Sequence, residues 1–116
     1  MRPIPIEMRE EMANDKFYKR CCLNGEAFEK IEWHHHLKFA GKQVNEIFCI
    51  LPVRQSIHQY HKGFTQEVKE KLNWIMLNRA TDEQLKKYSK CIDYIAMRER
   101  LNKKLGVWTT AIAKIL

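Results

Sequence analysis

Three consecutive histidines, His34-His35-His36, follow directly on the strand-like Ile31-Glu32-Trp33, and no other stretch limits the possible folds as much. Imidazole is polar, and each ring needs a partner when it is buried, so the run is a poor core element. Histidine is also the commonest metal ligand and the commonest general base near neutral pH. Asn45 and His58 follow further along. Together these residues make a constellation that can do chemistry, and the remainder reads as scaffold and substrate grip. Taken one at a time, each has an ordinary reading: a surface histidine cluster, a turn asparagine, a histidine on a helix surface.

The chain has 116 residues, enough for one domain with one modest core. No apolar run approaches membrane-spanning length, and no apolar stretch of the signal-peptide kind opens the N-terminus, so the expected compartment is the cytoplasm, with no membrane partner. The net charge of +7 is unevenly placed: residues 1–61 hold nine Lys/Arg against eight Asp/Glu, and residues 62–116 hold twelve against six. The basic excess after the histidines suits a polyanion such as DNA or RNA, or simply a solvated lysine-rich helix surface. Of the four cysteines, Cys21, Cys22, Cys49 and Cys91, none forms a C-x-x-C pair. A structural zinc knuckle is therefore unsupported, and the cysteines read as free thiols, several of them buried.

Along the chain, residues 5–14 read as a short helix opened by Pro5. Residues 20–33 read as two short strands turning at Asn24-Gly25, a pair that tolerates positive φ, with a helical turn over Glu26 to Lys30 as the alternative for the returning arm. Leu37 to Glu46 reads as a loop, and Ile47 to Leu51 as a buried strand ended by Pro52. Val53 to His61 reads as a short helix that places His58 and His61 on one face. Beyond it, Thr65 can cap a helix to about Asn78, and Thr81-Asp82-Glu83-Gln84 is a capping-box pattern opening another. That stripe runs towards Leu105, with a break near Ser89 and a stop at Gly106. Val107 to Leu116 is apolar and short: a strand, a docked helix or a partner-binding tail.

The order strand, His-His, loop with Asn, apolar strand, short helix with His resembles the HNH nuclease family, also called the ββα-metal fold. Ile31-Glu32-Trp33-His34-His35, Asn45 and Ile50-Leu51-Pro52 leading to His58 carry that resemblance. More loosely, Cys21 to His61 and the segment Glu70 to Ala80 are similar to small phage-type HNH proteins. The resemblance implies an α+β fold with a small ββα-metal core at about 20–63, a short β-hairpin, an N-terminal helix and C-terminal helices over about 65–105. It implies a metal-dependent endonuclease that hydrolyses DNA phosphodiesters, in phage-type DNA processing or recombination and hence in a host cytoplasm. His35 would be the general base and Asn45 would hold the loop behind it. His34 and His58 would be ligands to one divalent ion (Mg, Mn, Ni or Zn), with His61 as an additional ligand. Arg54 and Lys62 flank this site and are candidates for phosphate contact.

The family's paired C-x-x-C motifs are missing, so the helices would have to brace the site instead. The extra His36 leaves two registers open for the ligand/base pair, His34/His35 and His35/His36. The first is preferred because it directly follows the apolar pattern ending at Trp33. The alternative function is a non-catalytic, metal-containing DNA- or RNA-binding module. A third reading is a small regulatory protein that binds a host protein through the tail; a homodimer is also compatible.

Overall fold

A computed structural model describes residues 3–27, 29–56 and 65–106. The fold is a small mixed α+β arrangement. Helix α1 (Ile6–Ala13) starts after Pro5, whose φ of −56° already suits a helix entrance. A 3-10 turn at Lys16–Lys19 follows, capped by the Asp15 carboxylate, which accepts from the Phe17 amide.

The central feature is a two-stranded antiparallel ribbon, β1 (Ile31–His35) against β4 (Ile50–Arg54). Its register pairs Ile31 with Arg54 at one end and His35 with Ile50 at the other. Between the strands a smaller hairpin is inserted, β2 (Lys38–Phe39) and β3 (Lys42–Gln43). Ala40 (φ 53°) and Gly41 (φ 79°) turn it, the two left-handed residues that a tight hairpin turn requires. At Gln55 and Ser56 the backbone turns helical.

Three helices complete the described chain: α2 (Gln66–Arg79), α3 (Asp82–Tyr88) and α4 (Tyr94–Leu105). Each begins at a side-chain cap. The Thr65 hydroxyl accepts from the Val68 amide, Thr81 and Gln84 form a reciprocal capping box, and Asp93 accepts from the Ala96 amide. Gly106 ends α4 at φ 101°. Helices α2 and α4 are joined by polar side chains as well as packing: Trp74 Nε1 donates to Asn102 Oδ1 at 2.9 Å, and Asn78 Nδ2 donates to the same oxygen at 2.8 Å.

The ribbon lies between two apolar clusters. Leu51 and Val53 face the larger one, with Leu72, Ile75, Met76, Leu85 and Leu101. Ile50, with Trp33 beside it, joins Met12 and Tyr18 in the smaller one under α1. The alternation of a strand produces this division, since successive side chains point to opposite faces.

The hairpin expected at residues 20–33 does not form. Asn24-Gly25 does turn, with Gly25 at φ 74°, but among the described residues of 20–30 no strand flanks it. Cys21, Cys22 and Leu23 are buried in a turn instead: the Gly25 amide donates to the Cys21 carbonyl, the Cys21 amide to the Glu26 carbonyl, and the Cys22 amide to the Pro52 carbonyl. The expected loop at 37–46 contains the β2–β3 hairpin. Ile47–Cys49 is a 3-10 turn, and the buried strand starts at Ile50 and runs through Pro52 to Arg54. Pro52 fits because its carbonyl points away from β1, towards Cys22, and its missing N–H lies on that same side. Of the helix expected over Val53 to His61, Val53 and Arg54 belong to the strand, Gln55 and Ser56 are helical, and the rest lies outside the described residues. Cys21, Cys22 and Cys49 are buried free thiols, and Cys91 is exposed. Among the described residues no helix is long and apolar enough to cross a membrane.

Candidate active site

The strand period separates the three histidines. His35 shares a face with Trp33, towards α1, and is only 5% exposed. Its Nε2 lies 2.7 Å from Asn45 Oδ1, and Asn45 Nδ2 donates to the Pro3 carbonyl at 2.8 Å. A carbonyl can only accept, so the Pro3 contact fixes which way the Asn45 amide points. Its oxygen then faces His35, and the His35 proton must sit on Nε2. The neutral ring keeps its lone pair on Nδ1, which is buried and has no hydrogen-bond partner among the described residues. An uncommitted lone pair is what a general base or a metal ligand needs once water or an ion reaches it.

His34 and His36 take the opposite face. His34 Nε2 and His36 Nδ1 are 3.1 Å apart, with ring centroids at 5.2 Å. His36 Nε2 in turn meets Asn73 Oδ1, on α2, at 2.7 Å. Burial holds the His36 ring below its ordinary basicity, and the Asn73 hydrogen bond offsets this only in part. Among the described residues no three His, Cys, Asp or Glu side chains converge on one point. The imidazole pair nevertheless offers the donor chemistry that a divalent ion of the zinc or nickel type prefers.

Asn45 lines a groove of about 390 Å³ between the β2–β3 turn and α3, with Lys42 and Lys87 at its edges. The groove shares Phe39 and Tyr88 with a second hollow of about 380 Å³, bordered by Lys38, Lys90, Ile92 and Tyr94. Glu46 anchors α3 to this loop, accepting from the Tyr88 hydroxyl and lying 3.6 Å from Lys87 Nζ. Elsewhere two basic side chains of the helical half are held by carboxylates: Lys104 pairs with Glu70 at 2.7 Å, and Arg98 with Asp82 at 2.9 Å.

Of the residues singled out from sequence, His34, His35 and Asn45 lie around one end of the ribbon, with His35 and Asn45 in contact. Arg54 stands at the other end, roughly 13 Å along the strand, and holds Glu26 at 2.8 Å. His58, His61 and Lys62 lie outside the described residues, as does the tail from Val107 to Leu116. Asn73 was not singled out. Its signal is an amide flanked by Leu72 and Trp74 at the start of the buried stretch of α2. Comparison with known families, curated proteins and solved structures finds no match to the chain.

Proposed function

We propose that the protein is a metal-dependent endonuclease of the HNH type, acting on DNA phosphodiesters. The observation that carries this reading is the His35–Asn45 contact, with Asn45 held on the Pro3 carbonyl. It supports the paired roles of base and base-holder, because it leaves one ring nitrogen of His35 with a lone pair. The antiparallel β1–β4 ribbon and the helical backbone at Gln55 and Ser56 add support, in keeping with the strand–strand–helix order of that family.

In this reading His35 Nδ1 takes a proton from the water that attacks phosphorus. Asn45 keeps the ring in the required tautomer and orientation. His34 would hold the divalent ion together with His58 and, as a further ligand, His61. The ion, when bound, would stabilise the charge that develops on the phosphoryl group and the leaving oxygen. Lys42 and Lys87 border the groove lined by Asn45, Lys38 and Lys90 border the hollow next to it, and these lysines would contact flanking phosphates. Lys62 lies beyond the described residues, Arg54 is held by Glu26 and Lys87 stands 3.6 Å from Glu46, so Lys38, Lys42 and Lys90 are the better candidates for strand binding.

The test is nicking of supercoiled plasmid by chelator-stripped protein, resupplied with Mg²⁺, Mn²⁺, Ni²⁺ or Zn²⁺ in turn. His35→Ala is expected to lower the rate by about 10²–10⁴-fold with the fold intact. Wild-type protein that binds DNA but nicks none of the duplex, single-stranded or branched forms with any metal would instead favour the non-catalytic binding module.

A further inference from the structure

We propose that His34 and His36 together form a two-histidine chelate for a borderline divalent cation such as Zn²⁺, Ni²⁺ or Co²⁺, with Asn73 as the positioning residue behind it. The inference deepens the reading above and rests on it for the use of the cation, not for its binding. Residues two apart on a strand point to the same side, so the two rings stand next to each other on the face turned towards α2. Their facing nitrogens, His34 Nε2 and His36 Nδ1, are 3.1 Å apart. Two nitrogens held at about 2.0–2.1 Å by a tetrahedral ion are separated by roughly 3.3–3.4 Å. A displacement of a few tenths of an ångström therefore converts the contact into a bite.

Asn73 sets the second condition. Its Oδ1 accepts at 2.7 Å from His36 Nε2, which puts the His36 proton there and turns the Nδ1 lone pair towards His34. This is the outer hydrogen bond that metal-ligating histidines commonly make, and it comes from a different element, so the ring cannot swing. Without a cation, that lone pair receives the proton of His34 Nε2. With a cation, His34 presents Nε2 as a lone pair in its other neutral tautomer. The two rings then bind the ion with no net change in their bound protons.

The donor set selects the ion. Among the described residues no carboxylate or thiol joins the two imidazoles as a third ligand. Nitrogen donors of this kind favour zinc, nickel, cobalt and copper over magnesium or calcium, which seek oxygen. The remaining positions on the ion are for His58, the ligand that the reading above already gives His34, and for water or a phosphate oxygen.

The experiment uses the full-length protein stripped with chelator. Calorimetric titration with Zn²⁺, Ni²⁺ and Mg²⁺ is run beside the visible absorption of the Co²⁺ form. The variants are His34→Ala, His36→Gln, Asn73→Ala and His35→Ala, each checked for fold by circular dichroism. Zn²⁺ and Ni²⁺ are expected to bind far more tightly than Mg²⁺. His34→Ala and His36→Gln should each weaken binding at least tenfold and change the Co²⁺ spectrum. Asn73→Ala, which leaves both ligands in place, should weaken it by about tenfold, and His35→Ala by less than about twofold. If His36→Gln fails to fold, Asn73→Ala decides alone. Wild-type affinity in both His36→Gln and Asn73→Ala would overturn the chelate while leaving the nuclease reading intact. Tight zinc binding with these losses, but no nicking of any DNA, would keep the chelate and remove the nuclease. A wild type that binds none of the three borderline ions overturns the chelate outright.

Discussion

On one face of the β1–β4 ribbon, His35 shares its side with Trp33 and Ile50 and leans on Asn45, a residue of the neighbouring loop. On the other face, His34 and His36 stand beside Leu51 and Val53, lean on each other, and are fixed by Asn73 from helix α2. Three identical side chains in sequence therefore end up in two environments. One leaves a ring nitrogen with its lone pair uncommitted; the other joins two rings nitrogen to nitrogen. The difference follows from strand geometry and from which element covers each face. It also suggests a division of labour, proton transfer on one side and ion binding on the other.

The sharpest way to break the comparison is to remove one histidine from each face. His35→Ala should abolish nicking by about 10²–10⁴-fold yet keep zinc affinity, whereas His34→Ala should lose both. Equal loss of zinc binding in the two variants, read by calorimetry, would show that the faces are not separate.

The packing beneath the two faces offers the next contrast. Leu51 and Ile50 are adjacent and both fully buried, but they belong to different clusters. Leu51→Ala should cost about 2–5 kcal/mol, because the large cluster around α2 is braced from several directions and collapses poorly. Ile50→Ala should fall at the lower end of that range, since the small cluster under α1 is bounded by a short helix that can move. Urea denaturation of both variants checks the order, and a reversed order would contradict it.

Titration separates the faces as well. Tyr18, under α1, lies with its hydroxyl 2.7 Å from the Ile47 carbonyl and 2.8 Å from that of Ile50, and burial pushes its pKa up from 10.0 to about 12. A phenol whose folded value is raised adds stability that is complete below pH 10 and is lost as the pH climbs from 10 towards 12. The span is on the order of 2–3 kcal/mol. Tyr18→Phe should flatten the stability curve over that alkaline window and cost about 1–2 kcal/mol at neutral pH through the lost hydrogen bond. His36 acts at the other end of the scale. Its folded value lies below the ordinary 6.5, so stability is complete above that pH and falls as the pH drops through it towards the lower folded value. Thermal melts from pH 7 to 5 should show this slope in the wild type and a shallower one in Asn73→Asp, where a carboxylate favours the imidazolium.

The smallest expected effects are those of single groove lysines. Lys42→Ala and Lys87→Ala should each lower the dependence of DNA affinity on salt by about one unit of log–log slope, with little effect on stability. Fluorescence anisotropy across a salt series measures it. A lysine outside the groove, Lys69, serves as the control and should leave the slope unchanged.

Much of the helical half was legible in the sequence, because caps are local chemistry. Thr65, the Thr81–Gln84 box and Gly106 mark helix ends by hydrogen bonds and backbone freedom that reach only three or four residues. The ribbon was less legible. Asn24-Gly25 carries the stronger turn signal, yet the inserted hairpin turns at Ala40-Gly41, where alanine accepts a left-handed conformation that its own preference opposes. Pro52 looked like the end of a strand, and only the position of Cys22 shows why the strand can pass through it.

By itself the sequence determined that a run of three histidines directly follows Ile31-Glu32-Trp33, that an asparagine stands ten residues beyond His35, and that capped helices follow. Those are properties of residue type and short-range spacing. The tertiary structure alone decided that His35 meets Asn45, that His34 meets His36, and that Asn73 from α2 holds the pair. The physical reason is that pairing partners in a sheet, and the helix that covers a face, are chosen by burial of Leu51, Val53 and Ile75 across long chain separations. No local pattern around the histidines encodes that choice.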